Sequence, residues 1–374
     1  KKFNHLANSI RALSFDAIER ANSGHPGLPM GMADVATVLF SKYLKFDVTD
    51  SKWLDRDRFI LSAGHGSMLL YSLSYLVGYK DISINQIKKF RNLHSKTAGH
   101  PEFGLLKSIE TTTGPLGQGI ANAVGMALSE KILNNRFGKA LVDHRTWVMA
   151  GDGCLMEGIS QESISIAGHL KLNKLIVIFD NNGISIDGET SLTTSDDHIK
   201  RFEASNWNTI SIDGHDYKEI DLAFKKAFQS KKPTLISCKT IIGYGSPNKS
   251  GKSSSHGSPL GADEVKKTRE KLKWNHPPFV IPKNILNKWR SFGTRGTKKR
   301  ITWEKNLKNN KKKSEFLKCF NLKKYKRNES GKNFLKDVIN ESSKEATRKS
   351  SQNAIDILST NVKNFIGGSA DLTG

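Results

Sequence analysis

Two short apolar runs without polar alternation stand in the middle of the chain. They cover residues 147–150 and 175–179, and Asp152 and Asn182 follow them closely. Short, β-branched runs of this kind are typical of central strands in a parallel sheet that is covered on both faces. Since the carboxyl ends of neighbouring parallel strands meet at one edge of a sheet, we expect Asp152 and Asn182 to lie side by side.

Apolar residues at helical spacing alternate with further short apolar runs through most of the chain. The spacing predicts helices over residues 6–21, 32–44, 68–77, 84–93, 120–133 and 222–228 and near Ile164, with a short one after Pro259. Further strands are predicted at residues 59–61, around Ile210 and at 235–238. This alternation predicts an α/β fold with a doubly wound parallel sheet flanked by helices.

The length of 374 residues exceeds the chain length that usually folds around a single hydrophobic core. We expect one large α/β domain over residues 1–282, a basic connector over 283–350 and the beginning of a second α/β domain over 351–374. Within the last segment, residues 365–368 are predicted to form the first strand of that domain.

The positive charge is concentrated in the predicted connector. Residues 283–350 hold 22 Lys and Arg against 6 Asp and Glu, which supplies +16 of the net charge of +23. Two interpretations are open: a solvated, partly helical connecting region, or a patch that binds polyanions. We favour the first because no recognised nucleic-acid-binding module surrounds the segment.

The three cysteines, Cys154, Cys238 and Cys319, are isolated and form no CxxC pair. This usage fits a reducing compartment and argues against a structural zinc site. The sequence shows no apolar stretch long enough to cross a bilayer and no basic-then-apolar leader at its first residues. We therefore expect a cytoplasmic protein without a membrane partner.

The residues around Asp152 and Asn182 suit a divalent cation that holds a diphosphate. Gly151 and Gly153 flank Asp152, so the backbone can turn sharply and approach a phosphate closely. Magnesium takes oxygen ligands and usually binds one or two protein carboxylates together with phosphates and water. Gly-Asp-Gly is also ordinary turn chemistry, but a second polar strand end about thirty residues later favours the metal site.

Five loops carry a histidine, most of them beside glycine: His25, His65, His94, His100 and His256. A single loop histidine is more often structural. Several that converge on a diphosphate site favour proton transfer and recognition of hydroxyl groups. The loop at residues 114–119 exposes backbone N–H groups at a helix start, which is a cradle for anions.

Taken together, these segments resemble the transketolase family of thiamin diphosphate enzymes from the first residues to Gly374. The motifs that carry the resemblance are SGHPG, GHGSM, HSKTAGHPE, ETTTGPLGQGIANAVGMA, GDGCLMEG, NNGISIDG, KTIIGYGSPN and SHGSPLG. The resemblance implies that residues 1–282 form the diphosphate-binding domain and that residues 351–374 begin the pyrimidine-binding domain.

The resemblance implies a role for individual residues. Asp152, Asn182 and the main-chain oxygen of Ile184 would bind the metal, Mg²⁺ or Ca²⁺. The residues implied in contact with thiamin diphosphate are His65, Gly114, Pro115, Leu116, Gly153, Asn182 and His256.

The same resemblance assigns the sugar substrates and the subunit contact. His25 and His100 would hold substrate hydroxyls and relay protons, with His256 shared between cofactor and substrate. Arg348 would grip the sugar phosphate, a task that suits a guanidinium group. Glu157 corresponds to a position at the subunit interface, since the family forms homodimers with the cofactor between the subunits.

The implied reaction transfers a two-carbon ketol unit from a ketose phosphate, such as xylulose 5-phosphate, to an aldose phosphate, such as ribose 5-phosphate, in the pentose phosphate pathway. Two alternatives remain: another thiamin-dependent transferase of the dihydroxyacetone synthase type, and a catalytically dead remnant whose basic region binds nucleic acid. We expect that a nucleic-acid partner is absent.

Two departures from the family pattern bear on these roles. Residues 180–182 are Asp-Asn-Asn where many relatives carry Asp-Asp-Asn, which keeps the ligand Asn182 and removes one charge. The sequence also ends at Gly374, before most of the pyrimidine-binding domain that completes the cofactor site, so we expect a truncated chain that is inactive alone.

Overall fold

The computed structural model describes residues 2–320, 329–341, 344–362 and 364–369. The chain divides into two compact units, Lys1–Lys305 and Asn306–Gly374. This division follows Lys305 and does not coincide with the predicted boundary at residue 282.

The first unit is built on a parallel sheet of five strands. The strands are β1 (Arg58–Leu61), β2 (Thr146–Gly151), β3 (Leu175–Asn181), β4 (Asn208–Asp213) and β5 (Thr234–Lys239). Their spatial order is β1-β2-β3-β5-β4, and every neighbouring pair is parallel. The two central apolar runs of the sequence lie in β2 and β3, where almost every residue is buried. The prediction of an α/β fold with a parallel sheet is confirmed.

Helices pack against the sheet and against one another. In the first unit they are α1 (Lys2–Ala21), α2 (Gly27–Gly31), α3 (Ala33–Val38), α4 (Ser67–Val77), α5 (Ile84–Lys88), α6 (Gln118–Phe137), α7 (Asp152–Met156), α8 (Gly158–His169), α9 (His198–Ala204), α10 (Tyr217–Gln229), α11 (Ala262–Lys271), α12 (Lys283–Gly293) and α13 (Thr297–Asn309), the last of which continues past Lys305. A π-helical turn, Leu39–Tyr43, follows α3. The helix predicted over residues 84–93 ends at Lys88, because the chain turns there into a loop with left-handed backbone at Arg91 and His94.

Helix α1 lies in the core rather than on the surface, so its polar side chains need internal partners. Arg11 is buried and its Nη2 pairs with Asp34 Oδ2 at 2.6 Å. Ser9 and Ser14 donate their hydroxyl protons to main-chain carbonyl groups of the same helix, Leu6 and Ile10. With these groups satisfied, the helix can pack on several sides.

The first part of the predicted connector belongs to the core of the first unit. Trp289 on α12 is fully buried, and its indole Nε1 donates to Ser9 Oγ at 2.9 Å. Trp303 on α13 is also buried and donates to the carbonyl oxygen of Leu141 at 2.8 Å. This segment is helical, as predicted, and it buries these tryptophans although most of its other residues are exposed.

The second unit contains α14 (Lys313–Lys318), α15 (Glu329–Glu341) and α16 (Thr347–Asn361) among its described residues. Residues 365–368 were predicted as a strand, and the structure places them outside any strand. A strand requires a hydrogen-bonded partner, and Phe365 and Ile366 are exposed instead. The final motif at residues 370–374 lies outside the described residues. Among the helices described, we find none with the length and apolarity needed to span a bilayer.

Candidate functional site

The carboxyl ends of three adjacent strands position the site, and two of these strands carry its acidic part. Gly151 at the end of β2 is paired in register with Asp180 near the end of β3. Asp152 follows Gly151 as the first residue of α7, and Asn182 follows β3 directly. Beside them, β1 leads into a 3₁₀ turn, Gly64–Gly66, that carries His65. The expectation that Asp152 and Asn182 lie at one sheet edge is therefore met.

A cavity of about 310 Å³ opens at these strand ends. It brings together residues that are distant in sequence, and its lining includes His25, His65, Gly114, Leu116, Asp152, Gly153, Asn182, Ile184 and His256. Nine of the residues predicted for the site thus share one cavity. Pro115, His100 and Arg348 do not line it.

Two buried carboxyl groups lie at the acidic end of the cavity. Burial, together with the negative charge of Asp180, raises the pKa of Asp152 to about 7. Burial likewise raises the pKa of Asp180 to about 6. Asp180 accepts hydrogen bonds from the Thr240 hydroxyl and from Asn182 Nδ2, the latter at 2.9 Å. A divalent cation at this place would compensate the two charges that burial disfavours.

The loop after β3 offers further oxygen atoms. Asn182 Oδ1 accepts the main-chain N–H of Ile184 at 2.9 Å. Ile184 forms an antiparallel bridge with Glu189, but the hydrogen bonds of that bridge join Ser185 to Gly188 and Thr190 to Gly183. The bridge leaves the carbonyl oxygen of Ile184 unused. Within the described ranges no group of three His, Cys, Asp or Glu side chains could hold a metal, so a cation here would need this mixed set of oxygens.

Three imidazole rings face one another at the other end of the cavity. The ring centroids of His25 and His65 are 5.1 Å apart, those of His65 and His256 are 5.2 Å apart, and those of His25 and His256 are 5.7 Å apart. Burial lowers the pKa of His25 to about 4 and that of His65 to about 3, with the neighbouring His256 adding to both shifts. Burial also lowers the pKa of His256. The cluster is therefore neutral at physiological pH.

One of these rings has an unused polar atom. In the described part of the chain, Nδ1 of His256 is buried and has no hydrogen-bond partner. A buried polar atom without a partner is costly, and His256 lines the cavity. The cavity therefore fits a ligand with a hydrogen-bonding group at this position.

The loop before α6 closes one wall through glycine. Gly114 has a φ of +146°, and a Cβ atom there would lie 3.2 Å from Cγ of His100. A Cβ atom on Gly64 would lie 2.7 Å from the backbone nitrogen of Gly114, so the loop after β1 touches this loop main chain to main chain. Gly117, also left-handed at +82°, caps α6. These close approaches require glycine and bring His65 beside the anion-cradle loop.

His100 lies just outside the main cavity. It lines a neighbouring cavity of about 540 Å³ together with Arg91 and His94. Its side chain is more exposed than those of the three clustered histidines, and what burial it has lowers its pKa. Arg348 belongs to the second unit and is exposed on α16, and Glu157 is exposed between α7 and α8.

Some residues at the site were not anticipated from sequence. Arg91 Nη2 lies 3.4 Å from His25 Nδ1, although no local pattern marks Arg91. Asp180 was noted only as part of the Asp-Asn-Asn run, and the structure shows that it is buried and bonded to Asn182. Cys154, Met156 and Ile186 line the cavity, and their identity carries no recognisable chemical signal.

Comparison with known proteins gives one consistent family. Residues 3–329 match the sequence profile described as "Transketolase, thiamine diphosphate binding domain". A transketolase of Cereibacter sphaeroides is 50% identical over 369 residues, which cover 99% of this chain and 56% of that protein. Transketolase 2 of Escherichia coli is 50% identical over 382 residues, covering 98% of this chain and 56% of that protein.

Solved structures give the same result. The crystal structure of transketolase from Campylobacter jejuni superposes with a TM-score of 0.88 at 40% identity, covering 99% of this chain and 57% of that one. Transketolase from Leishmania mexicana superposes with a TM-score of 0.84 at 36% identity, covering 99% and 56%. The chain thus spans about half the length of the curated relatives that it matches. On its profile match, its identity to curated relatives and its fold, the chain belongs to the transketolase family.

Proposed function

We propose that the chain binds thiamin diphosphate through a divalent cation and contributes this half of the site to a transketolase. The complete enzyme would transfer a two-carbon ketol unit from a ketose phosphate to an aldose phosphate, as in the pentose phosphate pathway of the cytoplasm. The observation that carries the proposal is the single cavity in which Asp152 and Asn182 face a cluster of neutral imidazoles. Since the relatives named above are transketolases, a dihydroxyacetone synthase or a dead remnant is not favoured.

Asp152, Asn182 and the carbonyl oxygen of Ile184 would hold the cation, Mg²⁺ or Ca²⁺. All three residues line the cavity, and each offers a hard oxygen atom of the kind that both ions take. The raised pKa of Asp152 supports this role, because an isolated carboxylate in that place is disfavoured until a cation compensates its charge.

The cofactor would lie along the glycine-rich wall. Gly153 and Gly114 would leave room for the diphosphate beside Leu116 and Pro115, and His65 and His256 offer ring nitrogens in the same cavity. When bound, thiamin diphosphate supplies the nucleophilic carbon atom that the protein itself lacks. The protein contributes orientation, exclusion of water and the placement of hydrogen bonds.

The histidines would recognise the sugar. His25, His256 and His100 line the two neighbouring cavities and are neutral at physiological pH, so each can donate one hydrogen bond and accept another. They would bind the hydroxyl groups of both sugar phosphates and move protons between them. Arg348 would bind the phosphate group, and a homodimer with Glu157 at the subunit interface would place the cofactor between subunits. By itself, the chain is expected to be inactive.

Calorimetric titration with thiamin diphosphate tests the binding proposal directly. We expect weak binding that requires Mg²⁺ or Ca²⁺ and disappears with a chelator. Asp152→Ala should abolish it, whereas Asp187→Ala, which removes an exposed carboxylate from the loop after β3, should not. Binding that is indifferent to divalent cations, or equal in the two variants, would remove the basis for the metal site.

Activity requires the rest of the enzyme. We suggest joining the chain at Gly374 to the remaining portion of the E. coli relative, and measuring transfer from xylulose 5-phosphate to ribose 5-phosphate or to formaldehyde. Transfer to ribose 5-phosphate supports a transketolase, and a clear preference for formaldehyde would support the dihydroxyacetone synthase reaction instead. Cofactor binding without any transfer would agree with the proposed binding site but would contradict the proposed activity.

A further inference from the structure

Arg91 holds the His25 ring from the side that faces away from the His256 loop. Its Nη1 donates to Ser23 Oγ at 2.8 Å, and its Nη2 lies 3.4 Å from His25 Nδ1, which is long for such a bond. The backbone of Arg91 has a φ of +61°, an uncommon conformation for a residue with a side chain. Its N–H donates to the carbonyl oxygen of Thr97 at 2.9 Å. Thr97 thus fixes the backbone of Arg91, and Ser23 fixes its guanidinium group.

The chemistry of this contact sets the position of the His25 proton. A guanidinium group carries donors and no acceptor, so Nδ1 of His25 must be the acceptor. The ring is neutral at physiological pH and therefore has one N–H. That proton must then sit on Nε2.

The other edge of the ring faces the cavity. A Cβ atom on Gly257 would lie 3.2 Å from both Cδ2 and Nε2 of His25, so this edge points toward the loop that carries His256. The ionisable groups around the ring are His65, His100, His256 and Arg91. None of these four is an acidic side chain that would favour a proton on Nδ1.

We propose that Arg91 is a positioning residue that holds His25 in its Nε2–H tautomer, so that His25 presents a hydrogen-bond donor to an oxygen atom in the cavity. The oxygen recognised must then offer a lone pair, as a sugar hydroxyl or carbonyl oxygen does. Ser23 strengthens the effect because it anchors the other arm of the guanidinium group. The identity of the oxygen as part of a sugar rests on the proposed function, but the tautomer does not.

Nitrogen NMR of the chain labelled with ¹⁵N-histidine tests the proposal, because protonated and unprotonated ring nitrogens have well-separated chemical shifts. His25→Gln assigns the signal. We expect a single Nε2–H form in the wild-type chain, and a mixture of both tautomers together with a raised pKa of His25 in Arg91→Met. Arg290→Met is the matched control: Arg290 is half-buried over Tyr75 at 5.3 Å, much as Arg91 lies over Phe90 at 5.6 Å.

A wild-type ring protonated on Nδ1, or an Arg91→Met chain with an unchanged tautomer, would overturn the proposal. If Arg91→Met does not fold, Ser23→Ala is measured instead, because this variant keeps the guanidinium group of Arg91 but removes the hydrogen bond that anchors its Nη1. An unchanged tautomer of His25 in Ser23→Ala would also overturn the proposal. These NMR measurements need neither cofactor nor turnover, so a failure of this proposal can be distinguished from a failure of the proposed function. In the joined enzyme, Arg91→Met should raise KM for the ketose about tenfold, with less effect on kcat.

Discussion

The carboxylate of Asp180 and the side-chain amide of Asn182 are joined by a hydrogen bond of 2.9 Å, from Nδ2 of the amide to Oδ2 of the carboxylate. A carboxylate can only accept, so it fixes which end of the amide faces it. The amide oxygen is then turned toward Ile184 and the cavity. Asp180 therefore orients a proposed metal ligand without being one.

From this relationship we predict that Asp180→Asn weakens Mg²⁺-dependent binding of thiamin diphosphate by about 10- to 100-fold, the usual effect of losing such an orienting partner. Asparagine can donate as well as accept, so the amide of Asn182 would no longer have one preferred orientation. The measurement is a calorimetric titration of cofactor at a series of Mg²⁺ concentrations.

The adjacent Asn181 offers a control for this prediction. Its Nδ2 donates to Ser237 Oγ at 3.1 Å, so it is engaged with β5 rather than with Asn182. Asn181→Asp, which restores the Asp-Asp-Asn run of other family members, should change the affinity little. A gain of affinity in Asn181→Asp that matches the loss in Asp180→Asn would mean that net charge, and not orientation, governs the site.

Contact between two loops gives the second prediction. A Cβ atom on Gly64 would lie 2.7 Å from the backbone nitrogen of Gly114 and 2.8 Å from Thr113 Oγ1. Main chain cannot move aside as the end of a flexible side chain can, so Gly64→Ala must separate the loops. We expect a loss of about 1–3 kcal/mol in the free energy of unfolding together with weaker cofactor binding.

Urea denaturation and the same calorimetric titration measure these two effects. Gly158→Ala is the matched control, because Gly158 is the first residue of α8 and a Cβ atom there meets nothing within 4 Å. It should be neutral or slightly stabilising, since alanine favours the helix. A Gly64→Ala protein with unchanged stability would show that the loops separate at no cost.

The pKa of His65 leads to the third prediction, which concerns acid stability. Burial lowers this pKa to about 3 in the folded protein, against about 6.5 for an exposed imidazole. The unfolded chain thus binds more protons between these two values, so stability falls as the pH drops below about 6.5. Between about pH 7 and pH 5 the loss from His65 is on the order of 1–2 kcal/mol.

Replacement of His65 should remove that loss. We expect His65→Gln to be less sensitive to acid than the wild-type chain when the free energy of unfolding is measured in urea at both pH values. His169→Gln, on the exposed side of α8, should keep the wild-type sensitivity. If His65→Gln loses as much stability as the wild-type chain, the pKa of His65 is not depressed by the fold.

Much of the fold could be predicted because its signals are local. The short apolar runs predicted β2 and β3, because such runs are typical of strands that are buried on both faces. The polar residues that follow these strands lie close together because the two strands are parallel neighbours. The loops that line the cavity were found by their resemblance to a family. The roles given to individual residues remain predictions.

The remaining features depend on contacts that no local pattern encodes. Arg91 meets His25 across 66 positions of sequence and through a left-handed backbone angle. The burial of Trp289 depends on a groove that α1 and α4 form far away in the chain. The two lysines of this helix are exposed, and together with the basic composition of the residues that follow they indicated a solvated segment.

The position of α12 gives the last prediction. If residue 282 ended an independent domain, changes in α12 would leave the unfolding of the preceding residues untouched. Instead Trp289 is buried with a hydrogen bond to Ser9, and a Cβ atom on Gly293 would lie 2.0 Å from the carbonyl oxygen of Val77. We predict that Trp289→Ala destabilises the first unit by about 3–5 kcal/mol, and Trp289→Phe by less, since it loses mainly the hydrogen bond.

The check is urea unfolding followed by the far-ultraviolet signal of the whole chain. Asn287→Ala, an exposed change on the same helix, should stay within about 0.5 kcal/mol of the wild-type chain. A chain that ends at Lys305 should unfold at the wild-type midpoint, whereas one that ends at residue 282 should unfold earlier, because α4 then loses the helix that covers it. Equal midpoints for those two shortened chains would support the predicted boundary at residue 282, with α12 in the connector.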